Sequence, residues 1–124
     1  MQLEFTAEQE ELRSSVRAVL ERECPIGLVR EIVEKGATPD DLWSRMVELD
    51  WPALTVPEEH GGIGLGFMEL TVVLEEMGRV VAPGPFLATV SQFVPVILEA
   101  GSAEQQARFL GAVARGRRRR PRLR

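Results

Sequence analysis

Residues 51–66 read WPALTVPEEHGGIGLG, and FMELTVVLEEMGR follows at 67–79. Two fold classes compete for this stretch. The GGIGLG run follows the strand-like Ala53–Val56 with the G-x-G-x-G spacing of a nucleotide-binding turn, which would belong to a parallel α/β sheet. The rival is a glycine-rich loop between two helices of an all-α bundle. Pro57, Glu58 and Glu59 stand between the candidate strand and the glycines, placing negative charge where a pyrophosphate would lie. No β-α-β pattern surrounds them. The glycines therefore serve positive φ and close packing, and the stretch reads as loop. Ile63 and Leu65, alternating with glycines, either plug the bundle or form an exposed contact patch; packing inward is the plainer reading.

Helical patterns extend on both sides of the loop. TAEQ at 6–9 is a capping box that opens a first helix, with Leu12, Val16, Val19 and Leu20 at helical spacing and Pro25 as its stop. LVREIVEKG at 28–36 is a short second helix expected to bury Leu28, Ile32 and Val33 and to end on Gly36. TPDD at 38–41 starts a third, with Thr38 as cap and Leu42, Met46 and Leu49 inward. The fourth, 67–79, carries Phe67, Leu70, Leu74 and Met77 on one face. A fifth, from about Pro85 to Ala100, is apolar almost all round and is expected to be surrounded by the others. Pro95 predicts a kink or brief interruption in it. SAEQ at 102–105 repeats the capping box and starts a sixth, with Phe109, Leu110 and Val113. The expected fold is an all-α bundle of about six helices.

At 124 residues the chain is one domain at most, with 44% hydrophobic and 27% charged residues. Its one cysteine, Cys24, allows no intramolecular disulfide and reads as an inert packed thiol. The lone histidine, His60, has no evident triad or metal partners. The N-terminus is polar and acidic, unlike a signal or transit peptide, so the expected location is cytoplasmic. The longest apolar stretch is short for a membrane span and interrupted by Ser91, Gln92 and Pro95.

Three segments together strongly resemble the N-terminal helical domain of the acyl-CoA dehydrogenase family. They are FTAEQEELRSSVRAVLERE at 5–23, LDWPALTVPEEHGGIGLGFMELTVVLEEMGR at 49–79 and ILEAGSAEQQARFLGAVARG at 97–116. The resemblance covers Met1 to about Gly116. It implies an FAD enzyme that removes a proton from the α-carbon of an acyl-CoA thioester and passes the β-hydride to the flavin. Electrons then leave for an electron-transfer flavoprotein or another acceptor. It also implies that the catalytic base and most flavin contacts belong to other domains, so this chain alone is expected neither to hold FAD nor to act. Pro85, Ala88, Thr89 and Gln92 match the wall of the acyl-chain pocket. Thr89 and Gln92, polar on an apolar helix, are expected to face that pocket or a buried partner. Leu12, Val19, Leu49, Trp51, Ile63, Leu65 and Val73 match a hydrophobic patch that receives the electron carrier, with Trp51, Ile63 and Leu65 as its candidate partner-binding residues. Full-length relatives are expected to be oligomers.

The departure from the family comes at GRRRRPRLR, 116–124. Seven arginines lie in Arg115–Arg124, whereas Met1–Ala114 carries eight basic and nineteen acidic residues, a net −11. Arginine outnumbers lysine fourteen to one, as in a GC-rich gene, and such a gene read out of frame yields arginine and proline. The division is therefore a helical domain at 1–115 and an Arg-rich tail at 116–124, disordered or read out of frame. The tail binds polyanions without specificity and with steep salt dependence, while the acidic body offers nucleic acid no basic face. The rival readings are a non-catalytic helical interaction module and a basic-tailed nucleic-acid binder.

Overall fold

The computed structural model describes residues 3–116, and every regular element among them is helical. In order these are α1 (Ala7–Glu23), α2 (Ile26–Lys35), α3 (Asp40–Glu48), 3-10 turns at Trp51–Ala53 and Glu58–His60, α4 (Phe67–Arg79), α5 (Phe86–Ala88), a π-turn (Thr89–Phe93), α6 (Val94–Ala100) and α7 (Ala103–Ala114). Because α5, the π-turn and α6 form one continuous run, the described residues contain six α-helical runs. The all-α expectation holds. The Arg-rich stretch 117–124 lies outside the described residues.

Two capping boxes start the first and last helices. The Thr6 hydroxyl accepts from the Gln9 amide while the Gln9 side chain accepts from the Thr6 amide, and Ser102 and Gln105 repeat the pair. Each box satisfies two amides that a helix start leaves without partners. At α3 the expected cap is not used. Pro39 holds the cap position with no side-chain bond, and the Thr38 hydroxyl instead donates to Asp40 Oδ2 at 2.7 Å. The proline fixes the entry, and Asp40 and Asp41 still favour the positive helix end.

The main core gathers Val16 and Leu20 of α1, Leu42 and Met46 of α3, Leu70, Val73 and Met77 of α4, and Phe86 and Val90 of the fifth run. A second cluster joins Ala53, Val56, Val94 and Leu110. Three inward assignments change. On α2 it is Val29 that is buried, with Val33 in solvent, because α2 packs by one edge only. Phe67, at the first turn of α4, is exposed, and Val72 and Val73 are buried instead. The fifth run is not surrounded: Phe86, Val90 and Val94 face the core, while Leu87 and Val96 are each 61% exposed.

The break in that run falls where the proline dictates. Pro95 has no amide hydrogen and its ring crowds the carbonyl four residues earlier. The turn before it widens, so that the Val94 amide donates to the Thr89 carbonyl across five residues. The end of α4 shows the opposite economy. Ala82 N donates to the Met77 carbonyl (3.0 Å) and Val81 N to that of Gly78 (3.2 Å), the Schellman pattern. The left-handed residue there is Val81, at φ 53°, where glycine is usual. A β-branched side chain in that region costs about 1–2 kcal/mol.

Candidate functional site

The loop that opened the sequence reading is the most buried irregular stretch of the domain. Trp51, Pro52, Ala53, Leu54 and Val56 are all buried, and Leu54 adopts helical angles rather than those of a strand. The glycine run lies back upon them. Gly61 N donates to Glu58 O, Gly62 N to Pro57 O, Ile63 N to Ala53 O, Gly64 N to Val56 O and Leu65 N to Leu54 O, all between 2.9 and 3.1 Å. Gly62 passes so close to the Val56 carbonyl that a Cβ would overlap it, and Gly64 sits at φ 72°. Five consecutive amides are thereby consumed within the loop. A phosphate cradle needs such amides free and pointed outward, and the Glu58 side chain lies against Gly64 besides. The glycine run does not fit the pyrophosphate of a flavin or nucleotide.

Pinned this way, the loop turns Ile63 and Leu65 outward, 37% and 40% exposed. The inward-plug reading is corrected: the backbone hydrogen bonds, not these side chains, fasten the loop. Trp51 goes the other way. At 5% exposure it belongs to the main core, as does Val73 at 0%, so neither offers surface to a partner. Leu12, Val19 and Leu49 pack half-buried against the same core. Thus the structure brings Ile63 and Leu65 to the surface and sets Trp51 beneath it. Beside them, Leu65, Gly66 and Phe67 line a cleft of about 150 Å³ with Thr55, Pro95, Leu98 and Glu99.

The second candidate set lies on the fifth run. Pro85, Ala88 and Gln92 are exposed, away from the buried Phe86, Val90 and Val94, and Thr89 is half-buried at the edge between the two faces. Spacings of three, four and seven residues align them along one stripe. The Thr89 hydroxyl donates to the Pro85 carbonyl at 2.8 Å, satisfying itself within the helix. Gln92 reaches solvent rather than a buried partner. This face is narrow, largely apolar and rigidly backed.

A charged cluster escaped the sequence reading. Glu76 of α4 is 2% exposed and receives three guanidinium groups. Arg17 donates twice, Nε to Oε2 and Nη2 to Oε1, both at 2.8 Å; Arg13 Nη1 reaches Oε1 at 3.1 Å and Arg79 Nε reaches Oε2 at 3.3 Å. Arg13 also meets Glu75 and Arg79 meets Glu21, which balances the charge. Hydrogen bonds from Arg17 and then Arg13 outweigh burial and lower the Glu76 pKa from 4.5 to about 2. The signal was present in sequence: Glu76 shares a helical stripe with buried Val72 and Val73, and Arg13 and Arg17 lie one turn apart on α1. Arg13 and Arg17 of α1 thus reach Glu76 of α4, and the cluster clamps the two helices together.

Cys24 is buried, and desolvation pushes its thiol up, which fits an inert packed group. His60 has Glu59 as its charged neighbour, Nε2 to Oε1 at 3.7 Å. Among the described residues no group of three or more His, Cys, Asp or Glu could hold a metal, and no helix is long and apolar enough to cross a membrane.

Known proteins converge on one family. The profile of the acyl-CoA dehydrogenase N-terminal domain matches residues 6–117. Acyl-CoA dehydrogenase FadE28 of Mycobacterium tuberculosis is 40% identical over 116 residues, covering 94% of this chain and 29% of that protein. Acyl-CoA dehydrogenase IpdE2 of Mycolicibacterium smegmatis is 37% identical over 87 residues, 68% of this chain and 28% of its own length. The crystal structure of the ChsE4–ChsE5 complex from M. tuberculosis superposes with a TM-score of 0.72 at 29% identity, covering 94% of this chain and 30% of that one. The chain therefore spans about three-tenths of the length of these relatives. With its capped helices, buried loop and matching profile, the chain belongs to the acyl-CoA dehydrogenase N-terminal domain family.

Proposed function

We propose that the chain acts as the N-terminal helical domain of an FAD-dependent acyl-CoA dehydrogenase and supplies part of the acyl-chain pocket. The observation that carries this reading is the one-sided burial of the fifth run. Its inner face is locked into the core, and its outer face presents Pro85, Ala88, Thr89 and Gln92 to whatever covers it. In such an enzyme a bound FAD would supply the hydride acceptor, and a carboxylate of another domain would serve as the base. This chain's residues shape and dry the channel that holds the acyl tail. Assembly into an oligomer belongs to the same proposal, since the solved relative is itself a complex.

The purified chain, mixed with FAD and acyl-CoA, is expected to retain no flavin and to dehydrogenate nothing. Co-produced with the remaining domains of a relative such as FadE28, it is expected to form a yellow, active complex. In that complex Ala88→Trp should cut kcat/KM for the longest accepted acyl chains about tenfold or more while sparing short ones. Stoichiometric flavin on the isolated chain, or an unchanged chain-length profile in A88W, would overturn the reading. A stable complex that binds neither flavin nor acyl-CoA would favour the non-catalytic helical module.

The exposure of Ile63 and Leu65 favours a second role, as anchors for an electron-transfer flavoprotein. Replacing both with serine should weaken binding of that flavoprotein to the chain by about 1–3 kcal/mol, read by calorimetry. Because both side chains already meet water, the melting temperature should hold. A drop of several degrees would mean they support the loop instead.

A further inference from the structure

The widened turn before Pro95 also sets which side chains line up on the outer face of the fifth run. In a regular α-helix, residues four apart are offset by about 40°, so a row of them winds away from the face on which it starts. A π-turn holds about one residue more, and the bond from Val94 to Thr89 places such a turn between Phe86 and Val94. Across that span the run averages about four residues per turn, and rows of every fourth residue stay straight. The burial pattern follows these rows. Phe86, Val90 and Val94 are 1%, 1% and 0% exposed, whereas Ala88, Gln92 and Val96, two positions further on in each case, all meet solvent. Gln92 therefore sits on the midline of the outer face, between Ala88 and Val96, rather than at its edge.

Its chemistry differs from that of its neighbours. The run carries three uncharged polar side chains, Thr89, Ser91 and Gln92. The hydroxyls of Thr89 and Ser91 donate to the carbonyls of Pro85 and Leu87 one turn back, so both protons are held within the helix. Gln92 makes no hydrogen bond among the described residues. Its carboxamide keeps two N–H donors and one carbonyl acceptor on a face otherwise lined by Ala88, Phe93 and Val96. Once that face is covered and dried, an unpaired carboxamide is unfavourable unless the ligand pairs it. A plain hydrocarbon tail has no group to do so. An oxygen on the acyl chain has: a keto oxygen accepts from Nε2, and a hydroxyl can also donate to Oε1.

We propose that Gln92 is a specificity-determining residue, selecting acyl-CoA thioesters whose acyl group carries a hydroxyl or keto oxygen over plain alkyl chains of the same length. This inference rests on the acyl-pocket reading above and names the substrate class that the pocket takes. The π-turn sets the position of the carboxamide, and the carboxamide supplies the pairing.

The test uses the chain co-produced with the remaining domains of FadE28. The probes are octanoyl-CoA and its monohydroxy and monoketo derivatives, with the oxygen stepped along the distal half of the chain. At least one derivative should exceed octanoyl-CoA in kcat/KM by about ten- to a hundredfold, chiefly through KM. Gln92→Met keeps the length of the side chain and removes its hydrogen bonding. It should raise kcat/KM for octanoyl-CoA and lower it for the favoured derivative, whereas Gln92→Asn, which keeps the carboxamide, should retain part of the preference. Equal losses towards both probes in Q92M would make Gln92 a structural residue and overturn the proposal while leaving the pocket reading in place. A wild-type complex that favours octanoyl-CoA over every derivative would do the same, as would failure of Q92M to assemble, which would set Gln92 against another domain. A flavin-loaded complex that dehydrogenates no acyl-CoA would instead remove the pocket reading, and this inference with it.

Discussion

Replacing Glu76 with glutamine is expected to destabilise the domain by about 2–3 kcal/mol, measured by urea unfolding at neutral pH. Removing the charge strands three arginines that converge on one buried carboxylate. Breaking a fully buried pair typically costs about 3–5 kcal/mol; Arg17 and Arg79 are nearly half exposed and recover some solvation, which lowers the figure. The same variant should alter the acid limb. In the folded chain the Glu76 pKa lies near 2, below its ordinary value of 4.5. Its contribution is therefore complete above about pH 4.5 and is lost as pH falls towards 2. The wild-type chain should lose stability across that window more steeply than E76Q. Parallel acid limbs would show that Glu76 is not held ionised by its arginines.

Phe86→Ala should be costlier, about 3–5 kcal/mol. Phe86 is 1% exposed and is the largest fully buried side chain among the described residues. It opens the fifth run, and its ring pins that run to the core through Val90 and its neighbours. Truncation leaves a void that a helix already interrupted by a π-turn cannot easily close. Hydrogen exchange should rise first across residues 86–100 while the α1–α4 pair stays protected. Uniform loss of protection would show the run to be cooperative with the whole domain rather than hinged on Phe86. A variant with a mobile fifth run should also lose any acyl-chain selectivity conferred by Ala88.

Much of the fold was legible because its signals are local. The boundaries of α4, the two capping boxes, the left-handed Gly36 and the disturbance before Pro95 each depend on residues within a turn or two of one another. Periodicity also found most of the core. The sequence alone rejected the dinucleotide turn, from the acids beside the glycines. What it could not decide was which side of each element meets another. Val33 and Phe67 continue apolar stripes, yet no element packs over them and both stay largely in water. The fifth run reads as encircled because every side is apolar, whereas one layer of helices lies beneath it and solvent lies above. Trp51 and Ile63 belong to one loop and one expected patch; the hydrogen bonds from residues 61–65 back to 53–58 send the first inward and the second outward. The Glu76 cluster is the clearest case of all, since a carboxylate among valines is unfavourable until a second helix, some sixty residues away in sequence, brings two arginines to it. Side-chain spacing fixes an element's faces, but only the packing of distant elements decides which of those faces is buried.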